Sequence, residues 1–249
     1  MSARPLRRRA KMSVWTRLRM FSVFIVAGLI LAVVAGYTIV TRPEFRVRKI
    51  VVTGNHVVDQ REAIAAAAIP LDANVWTLDA HAIAGRIEAI PFVSTARVHR
   101  SFPADVDLAI TERTPSACIA GNGLSLTIDG ERRVLSMTCL STALPRFSLG
   151  LESTPKAGDF IDDEALGRMQ RDVAEFEAAG LTLRSVGFDR FGSLDATTTT
   201  GLWLRCGDDA DLEKKLRLVE PIMQATKKRL QRVVGIDLRA PSTPVVTYR

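Results

Sequence analysis

Ionisable side chains are concentrated in the stretch VSTARVHRSFPADVDLAITERTPSA, which covers residues 93–117. Asp105 and Asp107 are two positions apart, which places both carboxylates on one face of a strand and resembles the paired acids of general acid–base catalysis. No partner acid and no apolar pocket are evident around them in the sequence. We therefore interpret the two aspartates as part of a solvated sheet face, and nothing in the stretch argues for an enzyme.

A serine and a lysine with S-x-x-K spacing occur further along, at Ser153 and Lys156. In penicillin-binding proteins this pair lies on one helical turn, so that the amine takes the proton of the hydroxyl. Here Pro155 and Gly158 disfavour a continuous helix, and no S-D-N or K-T-G sequence follows. We interpret the segment as a loop without a catalytic role.

The spacing of histidines and cysteines does not predict a metal site. The histidines fall on a turn, a helix and a strand, at His56, His81 and His99. The cysteines are odd in number and lack C-x-x-C spacing, at Cys118, Cys139 and Cys206. A disulfide between Cys118 and Cys139, the closest pair in sequence, and free buried cysteines are both compatible with the sequence. We predict no cofactor and no small-molecule substrate.

The net charge of +7 comes from the N-terminal residues. Residues 1–19 contain seven arginines and lysines and no acid, which leaves 27 basic against 27 acidic residues in the rest of the chain. A neutral body lacks the basic surface that nucleic-acid binding requires. The composition therefore excludes nucleic acid as a partner.

Residues 20–41, MFSVFIVAGLILAVVAGYTIVT, contain no charged residue. As a helix they would span about 33 Å, close to the bilayer's hydrocarbon thickness of about 30 Å. A buried core helix is disfavoured because apolar residues cover every face. A cleaved signal peptide is disfavoured because the run is long, Trp15 has an interfacial position and Ala-Gly-Tyr at 35–37 is a poor cleavage site. We predict an uncleaved span, with residues 1–19 in the cytoplasm and residues 42–249 across the membrane.

Residues 42–114 predict a β-α-α-β-β unit. A strand begins at Phe45, two helices have Asp59 and Asp79 as N-caps, and two alternating strands meet at a Phe102-Pro103 corner. The apolar faces of these elements would pack helices onto a three-stranded sheet.

Residues 115–249 predict a β-rich domain with helices. An Asp129-Gly130 turn joins two alternating runs, and a helix is expected from Asp162 to about residue 179. A long amphipathic helix follows residue 208 or 209, with a kink at Pro221, and VVGIDLR and PVVTYR are the last strands. The fold class is therefore α+β: one transmembrane helix followed by two domains.

The order of these pieces resembles the FtsQ/DivIB family, the bitopic division proteins of bacteria. The family pattern reads V-x-G-N, then L-P-W-V-x-x-A-x-V-x-R-x-W-P-x-x-L-x-I-x-V-x-E-R-x-P-x-A. Phe92 and Phe102 replace the two tryptophans, and LTIDGERRVL, LPRF and IDLR resemble later family segments. The matching positions are Val52, Gly54, Asn55, Pro91, Val93, Ala96, Val98, Arg100, Pro103, Glu112, Arg113, Pro115 and Ala117.

The resemblance implies a polypeptide-transport-associated (POTRA) domain at residues 42–114 and an FtsQ-type β domain at residues 115–249. It implies a non-enzymatic scaffold of the divisome at the septum of the cell inner membrane, with both domains in the periplasm. The implied partners are the FtsB–FtsL coiled-coil pair and the division proteins FtsK, FtsW and FtsI. The competing function is a POTRA-containing envelope protein of a transport or secretion assembly. Such a protein would carry a signal peptide and many amphipathic strands of about ten residues, and the sequence predicts neither.

The resemblance also implies two sets of functional residues. The family binds FtsB through the last strands of the β domain, partly by strand addition, a mode that suits the alternating PVVTYR segment. We expect partner contacts at Arg239, Val245, Val246 and Tyr248, with a purely local ion pair as the alternative for Arg239. We expect the ERTP sequence to fix the junction between the domains, through Glu112, Arg113 and Pro115.

Overall fold

An apolar helix precedes two separate β-sheets in this chain. The computed structural model describes residues 14–70, 72–151, 153–227 and 232–249. Helix α1 (Val14–Val40) starts before the predicted Met20, and its Phe21–Val40 part has a mean hydropathy of 2.6. Among the described residues this is the one helix long and apolar enough to cross a membrane. Residues 1–13 of the predicted basic tail lie outside the described residues.

The first sheet has three strands and carries two helices. Its elements are β1 (Lys49–Thr53), α2 (Gln60–Ala67), α3 (Ala80–Glu88), β2 (Val93–Ser101) and β3 (Asp105–Glu112). Strand β3 is central, parallel to β1 and antiparallel to β2, so the predicted β-α-α-β-β order is confirmed. Asp59 and Asp79 cap α2 and α3 as predicted. The first strand begins at Lys49 and not at Phe45, because Pro43–Phe45 form a 3₁₀ turn.

The second sheet has nine strands and shares one hydrophobic core with three helices. Its strands are β4 (Pro115–Gly121), β5 (Leu124–Asp129), β6 (Val134–Ser136), β7 (Arg146–Ser148), β8 (Leu183–Phe188), β9 (Leu194–Thr198), β10 (Trp203–Gly207), β11 (Val233–Asp237) and β12 (Val245–Tyr248). They are ordered β12-β11-β10-β9-β8-β7-β4-β5-β6. The helices are α4 (Glu164–Ala178), α5 (Leu212–Leu216) and α6 (Val219–Thr226). The β-rich second region and the α+β class are thus as predicted.

Two predicted features of the helices are wrong in detail. Asp163, and not Asp162, is the N-cap of α4, and its carboxylate accepts a backbone hydrogen bond of 2.9 Å. The long helix expected after residue 208 is two short helices, α5 and α6, separated at residues 217–218. The break lies where Pro221 would disrupt a continuous helix, because proline cannot donate to the carbonyl oxygen four residues earlier, that of Arg217, and its ring crowds that group.

Two tight turns divide the segment from β4 to β6 into three strands, whereas two were predicted. Asn122-Gly123 joins β4 to β5, and the predicted Asp129-Gly130 turn joins β5 to β6. A disulfide links Cys118 in β4 to Cys139 beyond β6. Cys206 is a free thiol in the core, and burial raises its pKa to about 12, which makes it unreactive.

The carboxylate of Glu112 holds a turn within the first unit. At 2.7–2.9 Å, its Oε1 atom accepts hydrogen bonds from the backbone N–H groups of His56, Val57 and Val58. Burial opposes ionisation, but these bonds hold the pKa of Glu112 below its usual value. The same turn requires Gly54, at φ +80°, because a Cβ atom there would lie 2.1 Å from the Ile110 carbonyl oxygen.

Arg113 connects the two sheets. Its Nη1 atom lies 2.6 Å from Asp129 Oδ2 and 2.7 Å from Glu131 Oε2, at the β5–β6 turn. Its Nε–H donates to the carbonyl oxygen of Val93, the first residue of β2. The side chains of Arg113 and Asp129 are 10% and 5% exposed, so water screens this ion pair little. Pro115, two residues further on, is the first residue of β4.

A second arginine crosses the junction in the opposite direction. Arg133 Nη2 donates to the carbonyl oxygens of Glu88 and Ala89, at the C-terminal end of α3, at 3.0 and 3.4 Å. The guanidinium groups of Arg113 and Arg133 lie 5.7 and 5.5 Å from the ring centre of Phe160, within the range of cation–π attraction. Arginines from both units therefore meet at one aromatic ring.

Asp172 is a buried acid on α4. Its side-chain atom Oδ2 accepts no hydrogen bond from the residues that the structure describes. Burial raises its pKa to about 6, with contributions from the charges of Asp209 and Glu175. Because this folded-state pKa exceeds that of the unfolded chain, the folded state resists ionisation. The contribution of Asp172 to stability therefore falls as the pH rises from about 4 to about 6.

Arg113→Met should loosen the junction between the two sheets. The substitution leaves the buried Asp129 carboxylate without its cation, which should lower the free energy of unfolding by about 3–5 kcal/mol. Spin labels on cysteines at the exposed positions Val57 and Phe191 report the relative placement of the units. Pulsed EPR should give a narrow distance distribution for the parent and a broad one for the variant, and the buried Cys206 thiol does not react with the label.

Glu131→Gln is the matched control, because it removes the second ion pair of Arg113. In that pair the Glu131 side chain is 71% exposed. An exposed pair contributes about 1 kcal/mol or less, so the control should keep the narrow distribution. Identical distributions for Arg113→Met and the parent would contradict the connecting role of Arg113.

Asp172→Asn should remove one pH dependence of stability. Relative to the parent, the variant should gain roughly 2–3 kcal/mol of unfolding free energy between about pH 4 and pH 7, since only the parent ionises a buried acid in that range. Chemical denaturation of the full chain in detergent measures the gain, with the fully exposed Asp162→Asn as control. A difference that does not change with pH would show that Asp172 ionises normally.

Candidate protein-binding edge

Strand β12 forms one edge of the nine-stranded sheet and is antiparallel to β11. The opposite edge, β6, is covered by a neighbouring segment. There the Val134 N–H donates to the Asp159 carbonyl oxygen and the Gly158 N–H donates to the Val134 carbonyl oxygen, both at 2.8 Å. Among the residues that the structure describes, no strand pairs with the outer side of β12. An edge of this kind is a template for a further strand.

The hydrogen-bond pattern indicates which backbone groups of β12 face outward. Arg249 and Arg232 exchange two N–H···O=C bonds, of 2.9 and 3.3 Å, so residue 249 points its backbone groups toward the β11 side. These groups alternate along an antiparallel strand. Those of Val245 and Thr247 therefore also face β11, and the N–H and C=O of Val246 face outward.

The side chains of β12 divide between two faces of the sheet. Val245 is 62% exposed and lies with Thr247 on the solvent-exposed face of the sheet. Val246 and Tyr248 are half-buried on the other face, where Val246 is the cross-strand partner of the buried Ile236. An incoming strand would therefore meet backbone groups and one exposed apolar side chain.

A contact between a tryptophan and a glycine supports this edge, and the sequence did not reveal it. Trp203 in β10 is the cross-strand partner of Gly235 in β11. A Cβ atom on Gly235 would lie 1.8 Å from the indole ring, so the ring lies directly on the glycine backbone. The guanidinium of Arg205 lies 5.4 Å from the centre of the same ring. An isolated glycine within a strand pattern was the one available signal of such a close approach.

Arg239 follows β11 and is paired with Asp237. Its Nη2–H donates to Asp237 Oδ2 at 2.6 Å, and its Nε–H is 3.0 Å from both carboxylate oxygens. The hydrogen bonds from Arg239 hold the pKa of Asp237 below its usual value, against the effect of partial burial. The Arg239 side chain is nevertheless 58% exposed, so it is accessible to a partner.

The chemical motifs considered in the sequence are dispersed in the structure. Ser153 and Lys156 lie in an irregular segment and not on a helical turn. Asp107 accepts a hydrogen bond from the hydroxyl of Ser101, which lies diagonally across the β2–β3 ribbon, opposite Asp105. Within the described ranges, no three His, Cys, Asp or Glu side chains are grouped as metal ligands would be. The geometry at β12 offers binding through main-chain groups.

Residues 45–113 match a family model described as "POTRA domain, FtsQ-type". The match includes the whole three-stranded sheet and the helices α2 and α3. The predicted POTRA unit is therefore confirmed.

Several curated proteins named "Cell division protein FtsQ" are similar to most of this chain. The protein of this name from Streptomyces venezuelae is 29% identical over 230 residues, which cover 90% of this chain and 82% of the relative. The one from Streptomyces griseus is 27% identical over 207 residues, or 81% and 97% of the two chains. The one from Neisseria gonorrhoeae is 22% identical over 194 residues, or 78% and 76%. The chain therefore contains a POTRA domain of the FtsQ type and is similar over most of its length to cell division proteins named FtsQ.

Proposed function

We propose that this protein is a non-enzymatic scaffold of the divisome that binds the FtsB–FtsL pair and links early to late division proteins. The observation that carries the proposal is the edge at β12, where no part of the chain that the structure describes forms a covering segment like the one at β6. The names of the relatives support a role in division. FtsK, FtsW and FtsI are the further partners that we expect.

The proposed topology is a single crossing of the inner membrane by α1. The seven basic residues within positions 1–19 favour a cytoplasmic N-terminus, and both sheets then lie in the periplasm, at the septum. The disulfide between Cys118 and Cys139 supports an exported location, because such bonds persist in oxidising compartments.

Strand addition is the proposed mode of binding. A strand of the partner would exchange hydrogen bonds with the outward N–H and C=O of Val246 and pack a side chain beside the exposed Val245. Arg239 and Tyr248 would add side-chain contacts, since arginine and tyrosine are enriched among the residues that dominate interface energies. Register along the strand would then set which partner residues meet Arg239.

Val246→Pro should abolish binding of the FtsB–FtsL pair while the domain stays folded. The N–H group that proline lacks points away from β11, so the substitution removes no hydrogen bond of the sheet itself. Binding of the purified pair to the full chain in nanodiscs measures the effect, and circular dichroism verifies the fold.

Val246→Ala is the matched control, because it shortens the same side chain and keeps the N–H group. We expect its affinity to stay within about threefold of the parent, a change of less than 1 kcal/mol. Undiminished binding by a folded Val246→Pro variant would refute strand addition at β12.

Arg239→Ala should weaken the same binding by about tenfold or more, the loss expected for an arginine that contacts a partner directly. Asp237→Asn is the control: it removes the intramolecular partner of Arg239 and leaves the guanidinium in place, so affinity should change by about threefold or less. Equal losses in the two variants, matched by equal losses of thermal stability, would assign Arg239 to the local ion pair alone.

A further inference from the structure

Three aromatic side chains, Phe45, Trp76 and Phe102, form a contiguous cluster on the first unit, which we call the aromatic surface. The ring centres of Phe45 and Trp76 are 6.0 Å apart in an edge-to-face arrangement, and those of Trp76 and Phe102 are 4.4 Å apart. Trp76 is 46% exposed and Phe102 is 53% exposed. Two aromatic rings in contact and half exposed to water forgo the free energy that their burial would give a soluble domain.

The aromatic surface is tied to the end of α1 by a single side chain. The Asn74 carboxamide donates through Nδ2 to the carbonyl oxygen of Val40, the last residue of α1, at 2.7 Å. Through Oδ1 it accepts a hydrogen bond of 2.9 Å from the backbone N–H of Trp76. The Val75 N–H also donates to the Phe45 carbonyl oxygen at 2.9 Å. The chain leaving the helix is therefore docked directly beneath the cluster.

These bonds limit how far the aromatic surface can be from a membrane that α1 crosses. Two hydrogen bonds and one carboxamide separate the Val40 carbonyl oxygen from the Trp76 nitrogen, a path of about 8 Å or less. Each headgroup layer of a bilayer is roughly 5–7 Å thick. With Val40 at the edge of the hydrocarbon core, Trp76 cannot be much further out than the headgroups.

The charges beside the aromatic surface match an anionic lipid surface. Residues 42–49 carry four exposed basic side chains and one exposed acid, Glu44. The basic residues are Arg42, Arg46, Arg48 and Lys49. Aromatic rings flanked by lysine and arginine are the side chains that occupy membrane–water interfaces.

We propose that Phe45, Trp76 and Phe102 insert into the headgroup layer of the membrane that α1 crosses and seat the POTRA unit on an anionic phospholipid surface. The inference rests on the proposed single crossing by α1 and adds a second, peripheral contact between this protein and the bilayer. It is independent of the strand addition proposed for β12.

The chain contains three tryptophans, Trp15, Trp76 and Trp203, which can each be made the sole fluorophore by changing the other two to phenylalanine. The full-length variants are placed in vesicles of phosphatidylethanolamine and phosphatidylglycerol that carry a nitroxide near the headgroup or near the bilayer centre. Sole Trp76 should be quenched several-fold more by the shallow label than by the deep one. Sole Trp203, in the second sheet, should be quenched by neither.

Sole Trp15 reports on the crossing by α1 and makes the two proposals distinguishable. If Trp15 is quenched but Trp76 is quenched no more than Trp203, the insertion of the aromatic surface is overturned and the crossing by α1 stands. Absence of quenching at both Trp15 and Trp76 would overturn the crossing and the aromatic surface together. Binding of the FtsB–FtsL pair is measured separately, so its failure would not alter either result.

A substitution in the sole-Trp76 protein tests the surface itself. Phe102→Ser should reduce quenching by the shallow label at least twofold, because it removes an inserted ring. Phe191→Ser is the matched control, since Phe191 is a 78% exposed phenylalanine of the second unit, and it should leave quenching unchanged. Equal quenching of Trp76 in both variants would overturn the insertion of Phe102, and thermal melting verifies that both are folded.

Discussion

The buried ion pair between Arg113 and Asp129 is the contact on which the relation between the two sheets depends. The sheets share no strand among the described residues, so side chains must fix their placement. A buried carboxylate is stable only when its other lone pairs are also satisfied. Asp129 Oδ1 accepts hydrogen bonds from the N–H groups of Glu131 and Arg133 at 2.9 and 2.8 Å. The acid that binds Arg113 therefore also shapes the turn that carries Arg133 across the junction.

Two adjacent residues at the end of β3 serve different units because successive side chains of a strand point in opposite directions. Glu112 turns toward the first unit and accepts three of its backbone N–H groups, whereas Arg113 reaches the second unit. Both had been predicted to fix the junction. In the structure Arg113 makes direct contacts across the junction, whereas the hydrogen bonds of Glu112 stabilise the POTRA turn beside the end of β3. The predicted joint role stays a prediction for Glu112 and Pro115.

Local causes explain what the sequence alone could predict. The alternation of β2 and β3, the aspartate caps at 59 and 79 and the apolar α1 depend on residues within a few positions of each other, and all were predicted. Contacts between strands that are distant in sequence were not predicted. The approach of Trp203 to Gly235 depends on the register of β10 and β11, and the anchoring of α5 depends on a buried Lys215 amine that reaches the Cys206 carbonyl oxygen at 3.0 Å. The outward direction of the Val246 N–H and C=O groups likewise follows from the pairing of β12 with β11. The PVVTYR sequence alone does not specify that pairing.

The difference between covered and uncovered sheet edges gives the clearest link between fold and binding. In the POTRA unit, the Glu88 carboxylate accepts the Ala96 N–H of the edge strand β2, and in the second sheet the segment at 158–159 covers β6. Open edges promote aggregation, so proteins cover them where no partner is needed. Strand β12 is short and open, which restricts pairing to a segment of about four residues. Its direction relative to α1 is transmitted through Arg113 and Asp129. For the strand addition proposed here, the contacts of Arg113 and Arg133 across the junction would reduce the number of orientations in which β12 can meet a partner.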